Sequence, residues 1–226
     1  MKFSVLFYIA VLSFIMSDST KRRYSDANFT YEFSITNKSS KVKLEKDIKL
    51  YWYALERIQS TYYGFNGKLL NGHYRKSLNN SKRNIEEGSF FFGMKNGEWK
   101  EWDNSGNILS ITNWEKGRKE GEFELYDENQ EILSKGSFRR GQKTGVWISV
   151  KNGVLIKANW SKNLLDGTYK EYDSQGNLLR KGKYKRNMKS GIWIDYLKKT
   201  RKRYNKDTIV EEHVETFWDT FREKKS

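Results

Sequence analysis

The sequence predicts an all-β protein: an elongated antiparallel meander of repeated β-hairpins, closed by a C-terminal amphipathic helix. Three observations predict it. A glycine followed two residues later by an aromatic recurs six times, at Gly72, Gly97, Gly121, Gly145, Gly167 and Gly191, with spacings of 25, 24, 24, 22 and 24 residues. A second ring stands seven residues before each glycine, at Phe65, Phe90, Trp114, Phe138, Trp160 and Tyr184. Clusters of Asp, Asn and Gly separate the ring-bearing stretches, and such fixed periods mark repeat architectures.

Within a unit the first strand carries the Gly-x-aromatic triplet, whose rings are Tyr74, Trp99, Phe123, Trp147, Tyr169 and Trp193. In most units another ring follows three residues later, at Trp102, Tyr126, Tyr172 and Tyr196. Strict alternation would put rings three apart on opposite faces, so either a bulge shifts the pleat or both faces carry rings. The turns come next: Asp103-Asn104-Ser105-Gly106, Asp127-Glu128-Asn129-Gln130, Lys151-Asn152-Gly153 and Asp173-Ser174-Gln175-Gly176. Asp and Asn bond back to the nearby backbone and Gly supplies positive φ, which is hairpin chemistry. Apolar pairs such as Ile108-Leu109 and Leu178-Leu179 then open the second strand. Helix is excluded here by short ring-rich runs punctuated by glycine. A degenerate earlier unit fits the same offsets through Leu50, Tyr53 and Phe65.

Four regions follow. Residues 1–19 hold an uncharged apolar run, Phe3 to Met16, which reads as a signal peptide. Its length of about 21 Å is short of the roughly 30 Å a spanning helix needs, so a retained anchor comes second. The chain is therefore expected to be secreted or held at the cell envelope, and cytoplasmic if the segment is no signal. Lys21-Arg22-Arg23 puts positive charge after the run, against the usual order. Residues 20–47 form a leading segment with strand-like alternation of Phe29, Tyr31, Phe33 and Ile35. The hairpin repeats span 48–206. In 207–226, Ile209, Val210, Val214, Phe217, Trp218 and Phe221 fall at helical spacing after a Thr208–Glu211 capping box, predicting a helix that caps the array.

Composition removes most chemistry. There is no Cys and no Pro, so disulfides, thiolate metal sites and cysteine nucleophiles are excluded. The two histidines, His73 and His213, lack metal-ligand spacing. No nucleophile–base pair, metal cluster or phosphate-cradling loop is present in the pattern, so neither enzyme activity, cofactor, metal nor small-molecule substrate is expected. The 8 Trp, 14 Tyr and 13 Phe exclude a disordered chain.

Net charge is +15, and twelve bases between Ser174 and Lys206 stand against Asp195 alone. That stretch favours an acidic protein partner ahead of anionic lipid, with nucleic acid behind. Lysines there also discourage edge-to-edge aggregation without binding anything. The candidate contact residues are Lys183, Lys185, Arg186, Lys199, Arg201, Arg203, Trp193 and Tyr196, since rings and Arg dominate interface energetics.

The glycine and ring offsets over about residues 48–204 resemble the MORN repeat, in the bacterial variant of the YwqK-family antitoxins. The resemblance implies a scaffold for protein or lipid binding, and for some members the antidote half of a toxin pair. The sequence departs from that pattern in its apparent signal peptide and in the last unit, which runs from Tyr196 into Lys198-Lys199 without a Gly turn.

Overall fold

The computed structural model describes residues 19–37, 42–43 and 45–214. Among these there are seventeen strands and no helix, and the strand pairings are antiparallel. The expected all-β hairpin architecture is therefore present. The chain divides into two compact units, residues 1–119 and 120–226.

The first unit contains β1 (Ser19–Ser25), β2 (Phe29–Thr36), β3 (Leu50–Ala54), β4 (Arg57–Thr61), β5 (Lys68–Leu78), β6 (Asn84–Phe91), β7 (Met94–Trp102) and β8 (Ile108–Glu115). β1, β2, β5, β6, β7 and β8 pair in that order. Phe33, Ile35, Leu70, Tyr74, Phe90 and Trp99 form its core. The hairpin of β3 and β4 branches from β5, pairing with it at Trp52 opposite Leu69 and Tyr53 opposite Lys68. The degenerate unit expected at Leu50, Tyr53 and Phe65 thus does not take a rung of the meander. β2 holds the place beside β5 because Phe33 falls opposite Tyr74 and Ile35 opposite Leu70, all four buried, while Phe65 lies in the connection between β4 and β5. The leading segment supplies two strands where one was expected. The loop before β3 is clamped by Arg118, whose Nη2 donates to Glu45 at 2.6 Å and to Asp47 at 3.0 Å.

The second unit is a plain meander. β9 (Arg118–Tyr126) begins at the division and is followed by β10 (Ile132–Arg139), β11 (Gln142–Lys151), β12 (Val154–Ser161), β13 (Leu164–Tyr172), β14 (Leu178–Lys185), β15 (Met188–Asp195), β16 (Thr200–Asn205) and β17 (Thr208–Val214). Each strand pairs with the next.

β17 corrects the expected C-terminal helix over its first turns. Lys206 and Asp207 adopt φ of 47° and 66°, a two-residue turn with both centres left-handed, which returns the chain alongside β16. Thr208, Ile209 and Val210 are β-branched and suit a pleated strand. The remainder of the expected helix, 215–226, and the expected signal segment, 1–18, lie outside the described residues.

Two kinds of turn recur. Asp103, Asp127 and Asp173 each accept backbone N–H groups from the residues two and four further on, at 2.8 to 3.0 Å. The other kind has two central residues, both at positive φ: Leu55-Glu56, Phe92-Gly93, Lys116-Gly117, Arg140-Gly141, Asn152-Gly153, Lys162-Asn163, Arg186-Asn187 and Lys206-Asp207.

Candidate interaction surface

Which side chains are free to meet a partner depends first on which ones the fold consumes. In the second unit the register runs Phe123 opposite Gly136, Trp147 opposite Ala158, Ala158 opposite Tyr169, Tyr169 opposite Gly182 and Trp193 opposite Lys202. A β-carbon added at Gly136 would overlap the Trp147 ring, and one at Gly182 the Trp193 ring. From β9 to β15 large and small residues therefore alternate from strand to strand along one face, and the indoles of Trp147 and Trp193 lie over the glycine of the strand before. The first unit does the same with Trp99 over Gly88.

The rings gather in threes. Tyr74, Phe90 and Trp99 lie 4.9 to 5.5 Å apart between centroids. Phe123, Phe138 and Trp147 lie 5.0 to 5.7 Å apart, and Tyr169, Tyr184 and Trp193 lie 5.0 to 5.5 Å apart. Each Trp Nε1 donates to a carbonyl of the neighbouring strand, Ser89 at 3.1 Å, Ser137 at 3.2 Å and Lys183 at 3.1 Å. A lysine covers each indole, Lys95 at 3.9 Å, Lys143 at 4.1 Å and Lys189 at 4.8 Å from the centroid. Trp114 and Trp160 share the first two of these lysines at 5.5 and 4.9 Å. The structural period is thus two sequence units. Glycine eleven residues before tryptophan, at Gly88, Gly136 and Gly182, is the signal that sequence reasoning missed.

Rings three residues apart stand on opposite faces, since the strand that carries them keeps its pleat between them and its bulge falls ahead of both. Where β6, β10, β12 and β14 advance two residues, β7, β11, β13 and β15 advance four, a bulge at Gly97, Gly145, Gly167 and Gly191. These glycines have φ of 76°, 69°, 115° and 68°. The later rings turn to the other face, where Lys157 lies 5.5 Å from the Tyr172 centroid and Lys181 5.5 Å from that of Tyr196.

The predicted contact residues are thereby divided. Trp193 is 5% exposed and buried in its ring cluster, whereas Tyr196 is 44% exposed. Arg203 is paired with Glu211 at 2.8 Å and Lys202 with Glu212 at 2.8 Å, so β17 offsets part of the basic stretch from within the chain. Arg180 is shared between Glu171 and Asp195, both at 3.2 Å. Arg201 stands opposite His213, and both line a shallow groove with Ile192, Arg203, Glu211 and Glu212. Lys199 sits in the β15–β16 connection at φ 50°. Lys183 is exposed on β14, and Lys185 and Arg186 are exposed where β14 turns into β15.

Titratable groups follow the same packing. Burial pushes the Tyr74 hydroxyl well above the usual phenol range, helped by the nearby Glu86 carboxylate. The bond to Glu124 pushes Tyr126 up to about 12. The Asn107 backbone N–H holds Asp103 below its usual value, and the Asn177 side chain does so for Asp173. Among the described residues no group of three or more His, Asp or Glu could hold a metal ion, and no helix is long and apolar enough to cross a membrane.

Two segments match the model of the MORN repeat variant, residues 95–116 and 165–186. Each covers nearly all of one hairpin, with the bulge glycine inside its first strand, and ends on the first residue of the two-residue turn that follows: β7 with β8, and β13 with β14. The matched MORN segments are thus the hairpin units themselves, with Trp99 and Trp114 in the first and Tyr169 and Tyr184 in the second. No curated protein matches the chain.

Proposed function

We propose that the chain is a non-enzymatic repeat scaffold that binds a protein partner at the cell envelope or outside the cell. The observation that carries this reading is the split between consumed and available cations. Lys95, Lys143 and Lys189 cover indoles and Arg180, Lys202 and Arg203 hold carboxylates, while Lys183, Lys185, Arg186, Lys199 and Arg201 remain exposed. Arg and Tyr196 in such a setting give a partner both charge and a ring to meet.

The MORN repeat match supports a scaffold and is shared by a second reading, an antidote protein of the YwqK kind that masks a toxin. Titrating the full chain with the product of the gene adjacent to its own, by calorimetry, tests the binding. A saturable complex that loses affinity on raising salt is expected, and absence of heat at high protein concentration would overturn it. Co-expression separates the readings, because only an antidote restores growth to cells making that product. Flotation with phosphatidylserine vesicles tests attachment to an anionic membrane instead. For export, mass spectrometry of the mature chain is expected to find a start at Thr20, which leaves the pairing of Thr20 with Ile35 at the head of β1 intact. An intact Met1 would contradict it.

A further inference from the structure

In the second unit, four two-residue turns carry a long basic side chain at their first position: Arg140, Lys162, Arg186 and Lys206. They join β10 to β11, β12 to β13, β14 to β15 and β16 to β17, so all four project from the same margin of this meander. Consecutive turns are two strands apart, about 9.6 Å, and the four span about 29 Å. Arg139 and Lys185 stand beside two of them, and all six side chains are exposed.

Turn chemistry alone does not call for these residues. Both centres of such a turn have positive φ, at 50°, 51°, 51° and 47° for the four bases. Asn or Gly adopts that conformation at low cost, whereas a long side chain is strained in it. Strained positions filled repeatedly by one chemical type point to use of that chemistry. The charges are also unspent: no ion pair involves any of the six among the described residues, in contrast to Arg180, Lys202 and Arg203 on the faces. Nearby acceptors are occupied by the backbone. Glu120 accepts Arg140 N–H at 2.6 Å, Asp207 accepts Lys189 N–H at 2.7 Å and Asn187 accepts Leu165 N–H at 2.6 Å. Asp166 and Asp207 are exposed carboxylates on this margin, against six exposed bases.

We infer that this turn margin of residues 120–226 is a linear docking rail for an extended acidic segment of a partner protein. The inference rests on the protein-binding reading above and names the partner's chemistry. An acidic segment in the polyproline-II form common in unfolded chains has three residues per turn and rises about 3.1 Å per residue, so every third side chain returns to one face about 9.3 Å further on and meets successive turns. Single-stranded nucleic acid needs stacking rings along its track. Among the described residues of this unit the exposed ring, Tyr196, lies in the β15–β16 connection at the opposite margin. A line of charges also suits a strand better than the plane of a membrane.

The test is fluorescence anisotropy of the full chain with a labelled peptide of repeated Glu-Ser-Ser, alongside an oligo-dA strand and phosphatidylserine vesicles. One variant combines Arg140→Asn, Lys162→Asn, Arg186→Asn and Lys206→Asn. Asn is at ease in the turn, so thermal unfolding of this variant is expected at or above the parent temperature. A control removes the same charge through Lys183→Asn, Lys199→Asn, Arg201→Asn and Arg203→Asn. Peptide binding is expected to weaken roughly tenfold in the turn variant, as for loss of four exposed ion pairs, and to stay near the parent value in the control. Loss in the control alone would overturn the rail and leave protein binding on the terminal strands standing. Equal loss in both would reduce the rail to net charge and overturn it. Tighter binding of oligo-dA or vesicles than of peptide would overturn the rail and the protein-binding reading together. Failure to bind any of the three would overturn the rail, with the neighbouring gene product then deciding the broader reading.

Discussion

A methyl group at Gly182 would occupy space filled by the Trp193 indole, while one at Gly191 would meet nothing within 4 Å. The two glycines therefore serve different ends, and Ala substitution separates them. Gly182→Ala is expected to cost about 1–3 kcal/mol through overpacking and to displace the ring, breaking its bond to Lys183 O and shifting Trp emission to the red. Gly191→Ala is expected to cost about 1–2 kcal/mol through its φ of 68°, with the emission unchanged. Denaturant titrations followed by fluorescence check both. Another residue-scale expectation concerns Trp114, whose Nε1 is buried without an acceptor. Trp114→Phe removes that orphan donor and is expected to cost far less than a typical large-to-small core change, measured the same way.

At the scale of elements, the Asp-initiated turns were legible because their chemistry is local: Asp173 reaches the N–H groups of Gln175 and Asn177 within its own loop. Asp173→Ala is expected to lower the thermal midpoint near neutral pH and to lose that effect in acid, where the native carboxylate is itself protonated. The hairpin period was legible for the same reason, since each unit repeats its own turns and rings. What sequence spacing could not carry was non-local. The pairing of β2 with β5 depends on Phe33 and Ile35 meeting Tyr74 and Leu70 across a long stretch of chain. The doubling of the period depends on Gly88, Gly136 and Gly182, whose purpose appears only when the next strand's indole is laid over them. The C-terminal stretch misled because Ile209, Val210 and Val214 fit a helical face on paper, while the left-handed pair Lys206-Asp207 commits the chain to a hairpin first. Of the candidate contacts, the bases were legible as a charge run. The burial of Trp193 and the pairing of Arg203 with Glu211 were not, since both depend on cross-strand neighbours.

Across the whole molecule the ionisable groups set a pH window. Asp26, Asp103 and Asp173 have depressed carboxyl pKa values, held down by backbone or side-chain N–H groups. Their contribution is present above the unfolded value near 3.9 and is lost as pH falls through the native one. Tyr51, pushed up to about 12 by burial, and Tyr74 act in the opposite sense. Their stabilisation is complete below the unfolded value near 10 and fades as pH rises. Thermal midpoints are expected to form a plateau between about pH 4 and 10 with a fall on each side, and a maximum confined to neutral pH would contradict this. Tryptophans clasp the glycines of neighbouring strands and so build the scaffold, and the proposed rail lies on the turn margin outside that packing. A carbon–proton correlation spectrum of the glycine α-protons tests this clasp most directly. Gly88, Gly136 and Gly182 are predicted to stand far upfield of the other glycines, under the ring currents of Trp99, Trp147 and Trp193, and all 17 glycines clustered at ordinary shifts would contradict the account.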